Sequence, residues 1–271
     1  MSAFAVKADG VVLRGDDDGS GPVILMLHGL SATRRYVVHG ATGLVRAGFR
    51  VIAYDARGHG ASSPAPSPAD YRYGQMVADA VHVLDDRGAG RATLVGVSMG
   101  AAVAAALALA HPSRVNALVA ITPAHLGTAT RDPARWERLA AGLESGGADG
   151  FVQAHGTPGA DPAAHALIRM AMRQRMERHD DPGAVAAALR ATPAGAAFDG
   201  EDALRAIACP TLVIGSRDRL DPDHPLWIAQ RWATLIPAAE FVVEDEAASP
   251  LAWRGGSLSR VIDAFLTDVL G

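Results

Sequence analysis

The stretch LVGVSMGAAVAAALALA, Leu94 to Ala110, decides how the chain is read. It joins a short apolar run to an uninterrupted Ala-rich helical pattern through Gly96-Val97-Ser98-Met99-Gly100. A serine between two glycines at a strand-to-helix junction fits a sharp turn that exposes its hydroxyl, because side chains at either glycine would collide with neighbouring backbone. The pentapeptide alone is moderately specific in a chain with 29 Gly, and an ordinary βα turn with a serine cap is the plainer alternative. The strand before it and the helix after it give the motif its weight, and Ser98 is expected to be a nucleophile.

Working outward, short apolar runs alternate with helical patterns, the signature of βα units and a mostly parallel sheet. Phe4 to Val6 and Val11 to Arg14, joined at Asp9-Gly10, predict an opening hairpin. Val23 to Leu27, Arg50 to Tyr54, Ala92 to Val97 and Val115 to Ile121 are continuously apolar, as strands buried on both faces must be. Residues 123–200 show no strand pattern and carry helical pieces at Pro133 to Leu143, Ala163 to Arg178 and Gly183 to Arg190. The strand pattern resumes at Thr211 to Ile214 and Glu240 to Val243, and an amphipathic helix, Ser257 to Leu270, closes the chain. The expected organisation is a core of residues 1–122 and 201–271 with a helical cap at 123–200. The DDDGSG stretch from Asp16 is expected to be a surface turn.

Composition bounds the partners. With 49% hydrophobic and 20% charged residues, the 271-residue chain is globular rather than disordered. A net charge of −4 without a basic stripe argues against nucleic acid. The run Ala101 to Ala110 is about half the ~20 residues that span a bilayer, so no membrane segment is expected. No secretory signal is read at the N-terminus, the single Cys209 calls for no oxidising compartment, and a cytoplasmic location follows as the expectation. The sole lysine, Lys7, beside many arginines and alanines hints at a GC-rich bacterial genome. The expected partner is a small-molecule substrate, with no cofactor and no metal, and a homodimer is left open.

Four motifs carry a family resemblance over nearly the whole chain outside 123–200: His28-Gly29 after a strand, YDARGHGAS from Tyr54 to Ser62, the Ser98 turn, and PTLVIGSRDRLDP from Pro210 to Pro222. Together they resemble the α/β-hydrolases, which implies a mostly parallel sheet with helices on both faces and a helical cap insertion. The resemblance also implies an oxyanion hole made by the backbone N–H groups of Leu30 and Met99. Such donors stabilise the charge that develops on a carbonyl oxygen during acyl transfer by several kcal/mol. His28 and His59 are expected to hold loop geometry rather than carry protons.

The resemblance assigns the triad acid to Asp218, in the loop after Thr211 to Ile214, with Asp221 and Asp223 as rivals. Asp223, ahead of His224-Pro225, also suits the capping of a helix N-terminus. The family's histidine position falls on Ala248 within FVVEDEAASPLAW, Phe241 to Trp253, and alanine accepts no proton. Three accounts fit: a base supplied from elsewhere, with His224 the best placed; a replacement introduced into the chain; or a protein that works without a triad. Glu244, Asp245 and Glu246 also depart from the pattern, which favours a native change, and a solvated acidic loop is their plainest reading.

The pattern thus predicts a serine hydrolase of a small or medium ester, lactone or other carbonyl compound, using Ser98, Asp218 and His224 in an altered triad. Arg34 and Arg35 after the oxyanion turn are candidates for a substrate carboxylate, with solvated surface charge the plainer reading. A dehalogenase or epoxide hydrolase is disfavoured, since those relatives carry Asp where this chain has Ser98. The alternative is a hydrolase-derived protein that binds a small molecule, or templates its cyclisation, without hydrolysis.

Overall fold

The computed structural model describes residues 2–129, 132–156, 162–245 and 253–271. Its strands are β1 Ser2–Ala8, β2 Val11–Asp18, β3 Val23–Leu27, β4 Arg50–Tyr54, β5 Ala92–Val97, β6 Val115–Ile121, β7 Thr211–Ile214 and β8 Glu240–Val242. They form one sheet in the order β1-β2-β4-β3-β5-β6-β7-β8. The pairs β1/β2 and β2/β4 are antiparallel and the others parallel. The helices are α1 Gly43–Arg46, α2 Tyr73–Asp86, α3 Met99–Ala110, α4 Pro133–His155, α5 Pro162–Met176, α6 Pro182–Ala191, α7 Leu226–Leu235 and α8 Gly255–Leu270.

Alternation along the inner strands explains their unbroken apolar runs. Leu25, Leu94 and Leu118 pack with Met76 of α2, Val103 of α3 and Trp232 of α7. Their strand neighbours Ile24, Val95 and Val119 pack with Leu44 of α1 and Ile262 of α8 on the other face. Every such aliphatic side chain contributes on the order of 1.5–3 kcal/mol by leaving water. Helix α3 is buried almost all round, which accounts for its small apolar residues. Among the described residues no helix is long and apolar enough to cross a membrane.

The opening hairpin turns at Asp9 (φ 33°) and Gly10 (φ 82°), the positive-φ pair a two-residue hairpin turn requires. It reaches further than the sequence predicts. DDDGSG is not simply a surface turn, because Asp16 to Asp18 continue β2 alongside β4. Asp17 is buried there and neutralised by Arg50 (Nη2 at 2.6 Å) and Arg87 (Nε at 3.0 Å), which hold its carboxyl below the usual range despite burial.

Helices α4 to α6 lie between β6 and β7. Asp132 accepts the Arg135 N–H at 3.0 Å and Asp181 that of Ala184 at 2.9 Å, each ahead of a proline in the first turn. Helix α4 continues past Leu143 to His155, with helical geometry lost at Gly146 (φ −137°) and Gly147 (φ 56°). Across that break Gly142 meets Gly150, where a Cβ would sit 2.0 Å from the Gly142 carbonyl oxygen. Leu139, Leu143, Phe151, Val185 and Leu189 form the segment's own core, against which Leu30 of the β3–α1 loop packs.

Candidate active site

Ser98 sits at the junction of β5 and α3 with φ 54° and ψ −113°, a backbone conformation that a side chain adopts only at a cost. The turn survives because its surroundings fix it. A Cβ on Gly96 would lie 2.2 Å from the Gly100 carbonyl oxygen, and one on Gly100 would lie 2.1 Å from that of Leu27. The β3 end passes close by, since a Cβ on Gly29 would be 3.9 Å from Ser98 Oγ. Above the turn is a cavity of about 780 Å³, lined by Leu30, Ser98, Met99, Asp218 and His224 among others. All five residues singled out in the sequence therefore face one space. Ala248 and Glu246 lie outside the described residues.

The carboxylate that engages the histidine is Asp221 rather than Asp218. His224 Nδ1 is 2.7 Å from Asp221 Oδ2, and its buried Nε2 has no hydrogen-bond partner among the described residues. Asp218 turns an oxygen back to its own loop, accepting the Leu220 N–H at 2.9 Å. Asp223 does not cap α7; its carboxylate receives Arg135 Nη2 at 2.7 Å, and Pro225 takes the cap position. Burial works against an imidazolium at position 224, but Asp221 and then Asp223 outweigh it and raise its pKa. Asp223 is itself held at about 2, since His155 and Arg135 overcome the effect of burial.

Neighbouring groups are tied into the frame. His28 uses Nδ1 toward the Gly29 carbonyl and accepts the Ala56 N–H at Nε2, both at 2.8 Å, and burial pushes its pKa down to about 3. His59 Nδ1 is 3.0 Å from the Arg57 carbonyl, and its ring leans on His28 and His179. His179 accepts the Gly60 N–H at 2.9 Å and, likewise buried, is held to about 3. Arg34 is no solvated charge: it pairs with Asp16 and with buried Asp55 at the β3–α1 loop, while Arg35 is exposed. Nor is Glu244 part of a solvated acidic loop, because it accepts from Ser216 Oγ at 3.0 Å and binds β8 to the loop after β7.

Four cavity-lining residues escape a sequence reading. Trp253 lines the cavity and donates from Nε1 to the Gly215 carbonyl at 2.7 Å. Tyr73 Oη lies 2.8 Å from His125 Nε2, and both residues line the cavity next to Ser98. Arg175, from the last turn of α5, faces the same space. Only the fold brings these positions together, and no local motif marks them. Among the described residues no group of three or more His, Cys, Asp or Glu is arranged to hold a metal.

Comparison with known proteins agrees with this architecture. The chain is 33% identical over 226 residues to a putative carbamate hydrolase of Variovorax paradoxus, covering 79% of each. It is 40% identical over 105 residues to epoxide hydrolase B of Mycobacterium tuberculosis, a match that spans 39% of this chain and 30% of that protein. The chain thus spans about a third of the length of the curated epoxide hydrolases it matches. A solved hydrolase from Pseudomonas aeruginosa superposes with a TM-score of 0.74 at 26% identity, covering 100% of this chain and 98% of that one. A family model described as the alpha/beta hydrolase fold matches residues 22–253, and the chain belongs to that family.

Proposed function

We propose that the chain is a serine hydrolase of a small or medium ester, lactone or other carbonyl compound, with α4 to α6 as a cap over the site. The observation that carries the reading is the strained Ser98 turn under a cavity that also contains His224, whose Nε2 has no partner among the described residues and whose Nδ1 is held by Asp221. Ser98 Oγ attacks the carbonyl carbon while His224 Nε2 takes its proton, which requires the two atoms within hydrogen-bond reach in the substrate complex. Asp221 fixes the tautomer and supports the imidazolium. The Leu30 and Met99 N–H groups, with the α3 N-terminus behind them, receive the charge on the tetrahedral oxygen. Collapse releases the alcohol with the proton from His224, and a water activated by the same imidazole frees the acid. A serine at position 98 supports acyl transfer over epoxide opening, whatever the partial kinship with epoxide hydrolases.

A fluorophosphonate probe followed by peptide mass spectrometry tests the reading. The expected adduct is on Ser98, with labelling slowed at least 100-fold in His224→Ala. No adduct after long exposure leaves the chain as a ligand-binding relative. Unchanged labelling in the variant removes His224 as the base.

A further inference from the structure

Among the described residues Arg135 and Arg175 line the cavity, and they differ in their carboxylate partners. Arg135, in the first turn of α4, is neutralised by Asp223 at 2.7 Å. Arg175 has no carboxylate within ion-pair distance among the described residues, and its buried Nε, like that of Arg135, has no hydrogen-bond partner there. The nearest acids are committed elsewhere, Asp221 to His224 and Asp223 to Arg135.

The last turn of α5 shows that this is not the habit of the helix. Arg173, on the outward side, pairs with Asp149 at 2.8 Å and with Glu177 at 2.9 Å. A cation near a helix C-terminus is favourable in itself, yet that accounts for Arg173 equally and leaves Arg175 without a counter-charge and its Nε without an acceptor among the described residues. A buried N–H donor without a partner is destabilising. A guanidinium kept in this condition on a cavity wall is a preformed receptor for a planar anion, which it grips through two parallel N–H···O bonds.

We infer that Arg175 binds a carboxylate carried by the substrate, so that the compounds turned over at Ser98 are esters or lactones of an acid that keeps a second, free carboxylate. The substrate class rests on the serine-hydrolase reading above, whereas the anion site itself does not. Burial pulls the guanidinium below its ordinary pKa and Asp221 only partly restores it, an imbalance that an entering carboxylate corrects. The cavity of about 780 Å³ leaves room for an acyl chain between Arg175 and Ser98.

Titration calorimetry with glutaramate, which has one carboxylate, and with neutral glutaramide tests the site without any bond being hydrolysed. Wild type and Ser98→Ala are expected to bind glutaramate at least tenfold more tightly than glutaramide. Arg175→Met should reduce that preference to less than threefold. Equal binding of the two ligands by wild type, or a preference kept in Arg175→Met, overturns the inference. If Arg175→Met gives no cooperative thermal transition, Arg175→Lys decides: a preference cut at least threefold supports the site, and an unchanged one overturns it. A missing fluorophosphonate adduct on Ser98 would sink the hydrolase reading and leave this preference standing, so the two failures read out separately.

Discussion

Tyr73 Oη and His125 Nε2 lie 2.8 Å apart at the cavity wall, and the proton between them belongs to the histidine. The Gly127 N–H donates to Nδ1 at 3.0 Å, and burial holds the ring neutral with a pKa of about 4. Nε2 therefore carries the hydrogen, and the phenol keeps its own proton for an acceptor in the cavity. Tyr73→Phe strands the buried Nε2–H and should cost about 1–3 kcal/mol in chemical denaturation. The same change should lower kcat/KM for an ester substrate by about tenfold. A variant as stable as wild type would show that His125 is satisfied elsewhere.

The pH profile of turnover reports on Asp221. A general base works when unprotonated, so kcat/KM should rise with pH through the raised pKa of His224, above the ordinary histidine value. Asp221→Asn removes the leading contribution that raises it, so the rising limb should move to lower pH. The plateau rate should fall by about two orders of magnitude or more, because the imidazolium loses its support. An unmoved limb would detach the titration from His224.

Acid stability reports on the buried histidines. His28 and His179 stay neutral to about pH 3 and His125 to about pH 4, whereas in the unfolded chain each takes a proton near 6.5. The unfolded state binds more protons throughout that window, so stability should fall as pH drops below about 6.5. Every such histidine adds a slope of up to about 1.4 kcal/mol per pH unit. Urea midpoints at pH 7, 6 and 5 measure it, and His179→Gln, which keeps an acceptor and a donor but does not titrate, should flatten the slope. Equal midpoints at pH 7 and 5 would contradict this.

Strands β3 to β7 were legible to the residue, because burial on both faces writes a continuous apolar run that a polar loop then ends. What stayed hidden depends on partners distant in the chain. Asp17 belongs to a strand because Arg50 and Arg87 arrive from β4 and the end of α2. Arg57, inside YDARGHGAS, is fully buried because Asp79 of α2 meets it at 2.7 Å. In the candidate site, Ser98 announced itself through its glycines, and His224 through its place after β7. Its bond to Asp221 spans only three residues, but one-dimensional spacing does not separate a carboxylate that turns back on its loop, as Asp218 does, from one that faces the ring. Arg175 was invisible for a similar reason, since the pocket side of α5 is set by its packing on α4 and not by its own periodicity.

The backbone at Ser98 has a consequence for how this chain responds to selection. With φ at 54°, serine occupies a position that glycine would fill at lower energy, by about 1–3 kcal/mol. Variants screened only for heat resistance should drift to glycine at position 98, while variants screened for turnover should keep serine. The residue found there after such a screen tells which of the two demands the molecule was made to meet.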